Sequence, residues 1–122
     1  MSAALALLAA LSGAPAAAQP CRPQPLARQW LEQQLPQWQV VLAQEPGYHP
    51  PAHLEVCALA ARRPYADVAR GRIYVPEPDS SNDTVTLVHE YLHLALAGHP
   101  HGRDETYVEE LARRLVRLGA NP

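Results

Sequence analysis

His89-Glu90-Tyr91-Leu92-His93 is the stretch of this sequence whose residue types and spacing could do chemistry. On a helix, residues four apart project from one face about a turn from each other, so His89 and His93 can offer two neutral imidazoles to one zinc ion. Glu90, beside the first His, can take a proton from the water that attacks a substrate at such an ion. From composition alone this pattern is expected about 0.02 times in the chain, so its presence calls for a reason beyond His frequency. Two histidines make an incomplete site. A hydrolytic zinc needs a third protein ligand and one position kept for water.

For that ligand the sequence offers three candidates. His99 lies at the spacing of the longer HExxHxxGxxH pattern, but Leu96 stands where that pattern needs its Gly, and Gly98 would turn the chain too late. Carboxylates further on are better placed. If two helices pack antiparallel around a turn at residues 98–103, Glu109 and Glu110 reach the depth of the histidines, whereas Asp104 and Glu105 stay nearer the turn. Glu105 and Glu109 share a helical face, so depth alone favours Glu109, with Glu105 and His99 as the alternatives. Groups able to donate to a tetrahedral oxyanion are His101, Arg103, Tyr107 and Tyr65. His49 and His53 repeat the spacing of four, but Pro50 and Pro51 between them exclude a helix, so they are loop histidines.

These side chains need elements to hold them. Val85, Val88, Leu92 and Leu96 recur at helical spacing over 84–97, and the capping residues of 78–83 precede them. Gly98 and Pro100 stop that helix. A second helix is expected from Arg103 or Asp104 to Leu118, with acids at its positive end, Arg113, Arg114 and Arg117 toward its negative end, and Gly119 as its stop. Upstream, Leu26, Trp30 and Leu35 predict a helix that Pro36 kinks or breaks before Trp38–Leu42. Alternation over 54–60 predicts a strand, and 65–69 with 71–75 predicts a hairpin turning at Arg70-Gly71. The expected class is α+β, a small antiparallel sheet with helices.

Composition narrows the setting. The chain has 122 residues and a formal net charge of -2, which fits one small domain over 19–122 and gives no basic face for nucleic acid. Residues 3–18 form an uncharged Ala/Leu run ending in Ala16-Ala17-Ala18-Gln19, which reads as a secretory signal cleaved after Ala18 and too short to span a membrane comfortably. No stable membrane insertion is expected after cleavage. Cys21 and Cys57 are the only cysteines, an even count that predicts one disulfide in an oxidising compartment, and their spacing excludes a CxxC motif.

Ile73-Tyr74-Val75, then VHEYLH at 88–93, then Glu109-Glu110-Leu111-Ala112 resembles the compact core of glutamate-zincin metallopeptidases. The resemblance covers about residues 54–118, with HExxH its specific part, and implies a mini-zincin-like architecture. It implies His89 and His93 as zinc ligands, Glu90 as base, and Glu109, three before Ala112 in an ExxA pattern, as third ligand. It further implies that Ile73–Val75 is an edge strand beside the cleft, to which a peptide or protein substrate could pair. The chain also resembles a family of predicted secreted bacterial proteins with an HEYLH motif. The expectation is a secreted or periplasmic zinc metallopeptidase. A peptidoglycan-directed amidase or endopeptidase and a non-catalytic zinc-stabilised binding protein are the alternatives.

Overall fold

The computed structural model describes residues 19–59, 63–77 and 81–120; the proposed signal segment lies outside them. Three helices, α1 (Pro25–Leu42), α2 (Ser81–Ala95) and α3 (Glu105–Ala120), combine with strands β1 (Glu55–Ala58), β2 (Tyr65–Asp67) and β3 (Arg72–Val75) in an α+β fold. The expected hairpin forms, with β2 antiparallel to β3 and Gly71 taking the positive φ of 65° that the tight turn requires.

Two strand expectations are corrected. The sheet is mixed, because β1 runs parallel to β3, and the strand order is β1-β3-β2. Ile73–Val75 is therefore the central strand and not the edge. Beyond β1 the chain that follows Cys21 adds an antiparallel bridge, Pro23 to Cys57, with Gln24 N–H donating to the Val56 carbonyl at 2.8 Å. Among the described elements β2 is the outer strand on the other side.

That first bridge depends on a covalent clip. Cys21 and Cys57 form the expected disulfide, with Cα atoms 5.0 Å apart, and Cys57 is fully buried. Closing a loop across a sequence separation of 36 residues restricts the unfolded chain and stabilises the fold by about 3 to 4 kcal/mol. We therefore expect the Cys21→Ser/Cys57→Ser double variant to unfold at markedly lower denaturant concentration. An unchanged midpoint would refute this account.

Helix faces follow the periodicity with one shift. Along α2, Val85, Val88, Leu92 and the following Leu96 are all buried, as expected, and α3 buries Val108, Leu111, Ala112 and Leu115 against it. Each such Val or Leu side chain contributes about 1.5 to 3 kcal/mol when fully buried. Helix α1 runs unbroken through Pro36, although that residue cannot donate to the carbonyl four residues back. Burial explains the continuity: Leu31, Trp38 and Leu42 on either side of Pro36 are fully enclosed, and Trp30 meets Trp38 edge-on at 5.9 Å. The buried stripe is Ala27, Leu31, Trp38 and Leu42, whereas Leu26 is exposed. Gly119 does not stop α3, which continues to Ala120; a Cβ at that position would come within 3.1 Å of Gln34 Oε1 on α1.

Candidate functional site

Helix α2 packs against β3 and β2 on one side and against α3 on the other, which brings the His89–His93 face toward the start of α3. The Nε2 atoms of His89 and His93 stand 3.1 Å apart. The Glu105 carboxylate spans them, with Oε2 at 2.9 Å from His89 Nε2 and Oε1 at 2.9 Å from His93 Nε2. Among the described residues, these three form one group whose ligand atoms all lie within 4.8 Å of one another. Tetrahedral zinc with bonds of about 2.0 to 2.2 Å separates its donors by about 3.3 Å, so the observed trio fits such an ion after movements of a few tenths of an ångström. Three protein donors is also the number found at catalytic rather than structural zinc sites.

The opposite ring nitrogens are held as carefully. His93 Nδ1 lies 3.0 Å from the Gly102 carbonyl oxygen, which can only accept, so this nitrogen carries the proton. His89 Nδ1 donates to Glu109 Oε1 at 2.7 Å, and Glu109 Oε2 is paired with Arg113 at 2.9 Å. With its proton on Nδ1, each neutral imidazole would turn its Nε2 lone pair toward the other and toward Glu105. Lone pairs and a carboxylate at these distances repel one another, and either a proton on an Nε2 or a metal cation among them relieves that repulsion. Burial works against protonation of His89, but the Glu109 and Glu105 carboxylates outweigh it and raise its pKa above the ordinary value.

Depth, used to choose between the two glutamates, misjudged the turn. Helix α2 ends at Ala95, only two residues beyond His93, and α3 begins at Glu105 under an Asp104 cap whose Oδ1 accepts from Thr106 and Tyr107 N–H at 3.0 and 3.2 Å. The histidines consequently sit near the turn, level with the first residue of α3. Glu105 reaches their Nε2 side and Glu109 reaches the far nitrogen of His89. The exposures are 12% for the His89 side chain, 17% for His93 and 72% for Glu105, so Glu105 closes the trio from the solvent side.

Glu90 lies in the same cleft. It is nearly buried, and burial raises its carboxyl pKa, partly offset by His89 and His93. No hydrogen-bond or ion-pair partner for it exists among the described residues. The cleft, of about 470 Å³, is lined by Glu90, His93 and Glu105 together with Gly102, Arg103, Pro64 and the first two residues of β2, Tyr65 and Ala66. A larger groove of about 680 Å³ runs past Leu26 and Trp30; among the described residues its charged lining groups are Arg22 and Glu77, which offer no comparable cluster of ligands.

The other candidates separate cleanly. His99 is buried away from the trio: its Nδ1 accepts from the His101 backbone N–H at 2.8 Å, and its Nε2 faces Glu45 Oε1 at 3.3 Å, off the alignment of a hydrogen bond. Tyr107 donates its hydroxyl to Glu45, which pushes the phenol pKa up to about 12, and its ring packs on His99 and His101. Tyr65 stacks on Tyr74, its register partner, with ring centroids 4.6 Å apart, so its ring lies on the sheet face that also carries Cys57. Of the four possible oxyanion donors, only Arg103 combines a place in the cleft with a side chain that has no other described partner. His53 pairs with Glu55 at 3.0 Å and is remote from the trio, as a loop histidine should be. Glu110 and Asp104 do not join the group.

Gly102 was not foreseen, and could not have been, because its contribution is a backbone carbonyl that any residue type possesses. Arg113, four residues after Glu109, was legible only as an ordinary helix ion pair.

A family model described as "Predicted secreted protein (DUF2300)" matches residues 3–101, a stretch that includes His89, Glu90 and His93 and ends before α3. The chain is also similar to "Uncharacterized protein YfaQ" of Escherichia coli (strain K12), 41% identical over 96 residues, which is 79% of this chain and 18% of that protein. The chain thus spans less than a fifth of that relative's length. No solved structure matches it.

Proposed function

We propose, from the premise that the chain belongs to the family of predicted secreted proteins (DUF2300), that its cleft is the active site of a zinc-dependent peptide-bond hydrolase of the cell envelope. The family places the protein outside the cytoplasm, in agreement with the export signal expected over 3–18 and with the disulfide, and no described helix is long and apolar enough to cross a membrane. The chemistry rests on one observation: two imidazoles with their Nδ1 protons assigned to outside acceptors, converging through Nε2 on a single carboxylate.

His89, His93 and Glu105 would hold the metal, and Glu109 would orient His89 from its outer nitrogen. Zinc bound there supplies a Lewis acid that polarises an amide carbonyl and acidifies the attacking water toward a pKa of about 7. Glu90 takes the proton from that water and passes it to the leaving amine. Its partial burial suits the task, because a carboxyl of raised pKa is a better proton carrier near neutrality. Arg103 can donate to the carbonyl oxygen as negative charge builds on it. An extended peptide would lie along β2, the outer strand on the cleft side, in place of the central Ile73–Val75 strand.

Metal analysis of the mature protein, with a peptide and peptidoglycan cleavage screen, tests the reading. One zinc per chain is expected, lost in His89→Ala and His93→Ala, together with hydrolysis of at least one amide substrate. Absence of zinc under non-chelating conditions would overturn the proposal. Zinc without any cleavage would leave a zinc-stabilised binding protein, and cleavage confined to peptidoglycan would identify the amide that is attacked.

A further inference from the structure

We infer that Glu45, which lies outside the cleft in the turn after α1, is a positioning residue that sets the orientation of His93 through the loop 96–104. The inference rests on the metal-site reading above, but it concerns a property of His93 that the metal-free protein also displays. The observation that carries it is a continuous path of polar contacts. Glu45 Oε1 faces His99 Nε2 at 3.3 Å; the His99 carbonyl accepts from Gly102 N–H at 3.1 Å; and the Gly102 carbonyl accepts from His93 Nδ1 at 3.0 Å.

Each link leaves little freedom. The His99 side chain is only 2% exposed, and its Nδ1 is already used as an acceptor from His101 N–H, so the ring proton sits on Nε2, on the side where the Glu45 carboxylate stands at 3.3 Å without the alignment of a hydrogen bond. Among the described residues Glu45 is the polar group this buried N–H faces, so removing the carboxylate takes away the charge that favours the present ring position. Gly102 cannot absorb the shift. A Cβ at this position would lie 2.0 Å from the Leu96 carbonyl oxygen, so the loop already passes as close to the end of α2 as a glycine allows.

Glu45 is itself anchored from two directions. It accepts from the Tyr107 hydroxyl in the first turn of α3, the turn that begins with Glu105. Its own turn is pressed onto the loop, because Gly47, at φ 76°, would place a Cβ 2.5 Å from the Gly98 carbonyl oxygen, and His49 N–H donates to the Ala95 carbonyl at 2.9 Å. One carboxylate therefore ties the α1 turn to both the acceptor of His93 and the helix that carries Glu105. A residue confined to packing would stabilise the fold without governing which ring nitrogen of His93 is protonated.

Two readouts on Glu45→Leu, Glu45→Gln and Tyr107→Phe separate these roles: zinc affinity by competition with a chromophoric chelator, and the His93 tautomer by nitrogen-15 NMR of the metal-free protein. Glu45→Leu is expected to weaken zinc binding about tenfold, the lower end for residues that orient a ligand, and to lose the Nδ1–H tautomer of His93. Glu45→Gln keeps an acceptor oxygen and should restore both. Tyr107→Phe removes one hydroxyl, keeps the ring, and should weaken zinc about threefold, so a Glu45→Leu protein that failed to fold would not end the test. A folded Glu45→Leu or Tyr107→Phe protein with wild-type affinity and an unchanged tautomer would overturn the inference. If the unaltered protein bound no zinc, the proposed function would fail, and the tautomer measurement would still decide the part played by Glu45.

Discussion

Glu90→Gln is expected to reduce hydrolysis of a verified substrate by at least about a hundredfold while leaving zinc content unchanged, the lower end of what a general base contributes. The substitution keeps size and hydrogen-bonding capacity and removes the group that takes the proton. Glu90 is not among the atoms that converge with His89 and His93, so metal retention is the natural result. Stability should be equal or slightly higher. A nearly buried carboxylate with no described partner costs desolvation that a neutral amide largely avoids. Full activity in Glu90→Gln would show that another group accepts the proton, and loss of zinc would show that Glu90 belongs to the metal site. Zinc analysis and steady-state kinetics on the same preparation separate these outcomes.

Glu105→Ala is expected to weaken zinc binding by more than about a hundredfold, and Glu109→Ala by about tenfold. The first figure follows from removing one ligand's share of an apparent zinc binding free energy of about 10 to 16 kcal/mol spread over four ligands. The second is the usual cost of losing an outer partner that orients a histidine. Because the Glu105 side chain is 72% exposed and sits at the start of α3, its truncation should leave the metal-free fold nearly as stable as before. Affinity would then fall without unfolding, which distinguishes a lost ligand from a collapsed site. The reverse order, with Glu109→Ala the more costly, would restore Glu109 as the third ligand.

What could be read in advance was chemistry and local form. The HExxH spacing needs only a helix to bring His89 and His93 onto one face, and the apolar period from Val85 to Leu96 supplies that helix. Even cysteine count and export composition led to the disulfide without any knowledge of the fold, since a compartment and a pair of thiols suffice. The Arg70-Gly71 turn was legible for a similar reason: a glycine between two β-type runs marks a change of direction on its own.

Where such local rules ended, errors began. Leu26 matches the helical period as well as Ala27 does, yet α1 docks through Ala27, Leu31, Trp38 and Leu42, because the partner surface decides which stripe is covered. Pro36 and Gly119 both carry strong stop signals; buried Leu31, Trp38 and Leu42 on either side hold α1 together through Pro36, and α3 runs one residue past Gly119 beside Gln34 of α1.

The sequence by itself therefore determined the His89/His93 pair with Glu90 beside it, the disulfide and the elements that bear them, because each depends on residues near one another along the chain or on composition. Only the tertiary structure decided that β3 is central, that Glu105 rather than Glu109 meets the two Nε2 atoms, and that Gly102 and Glu45 stand behind His93. Glu105 and Glu109 have the same helical phase, so choosing between them requires knowing where α2 ends and how deeply α3 is offset along it. That offset is set by the loop packed beneath Glu45 and Gly47, contacts between segments some fifty residues apart that no periodicity encodes.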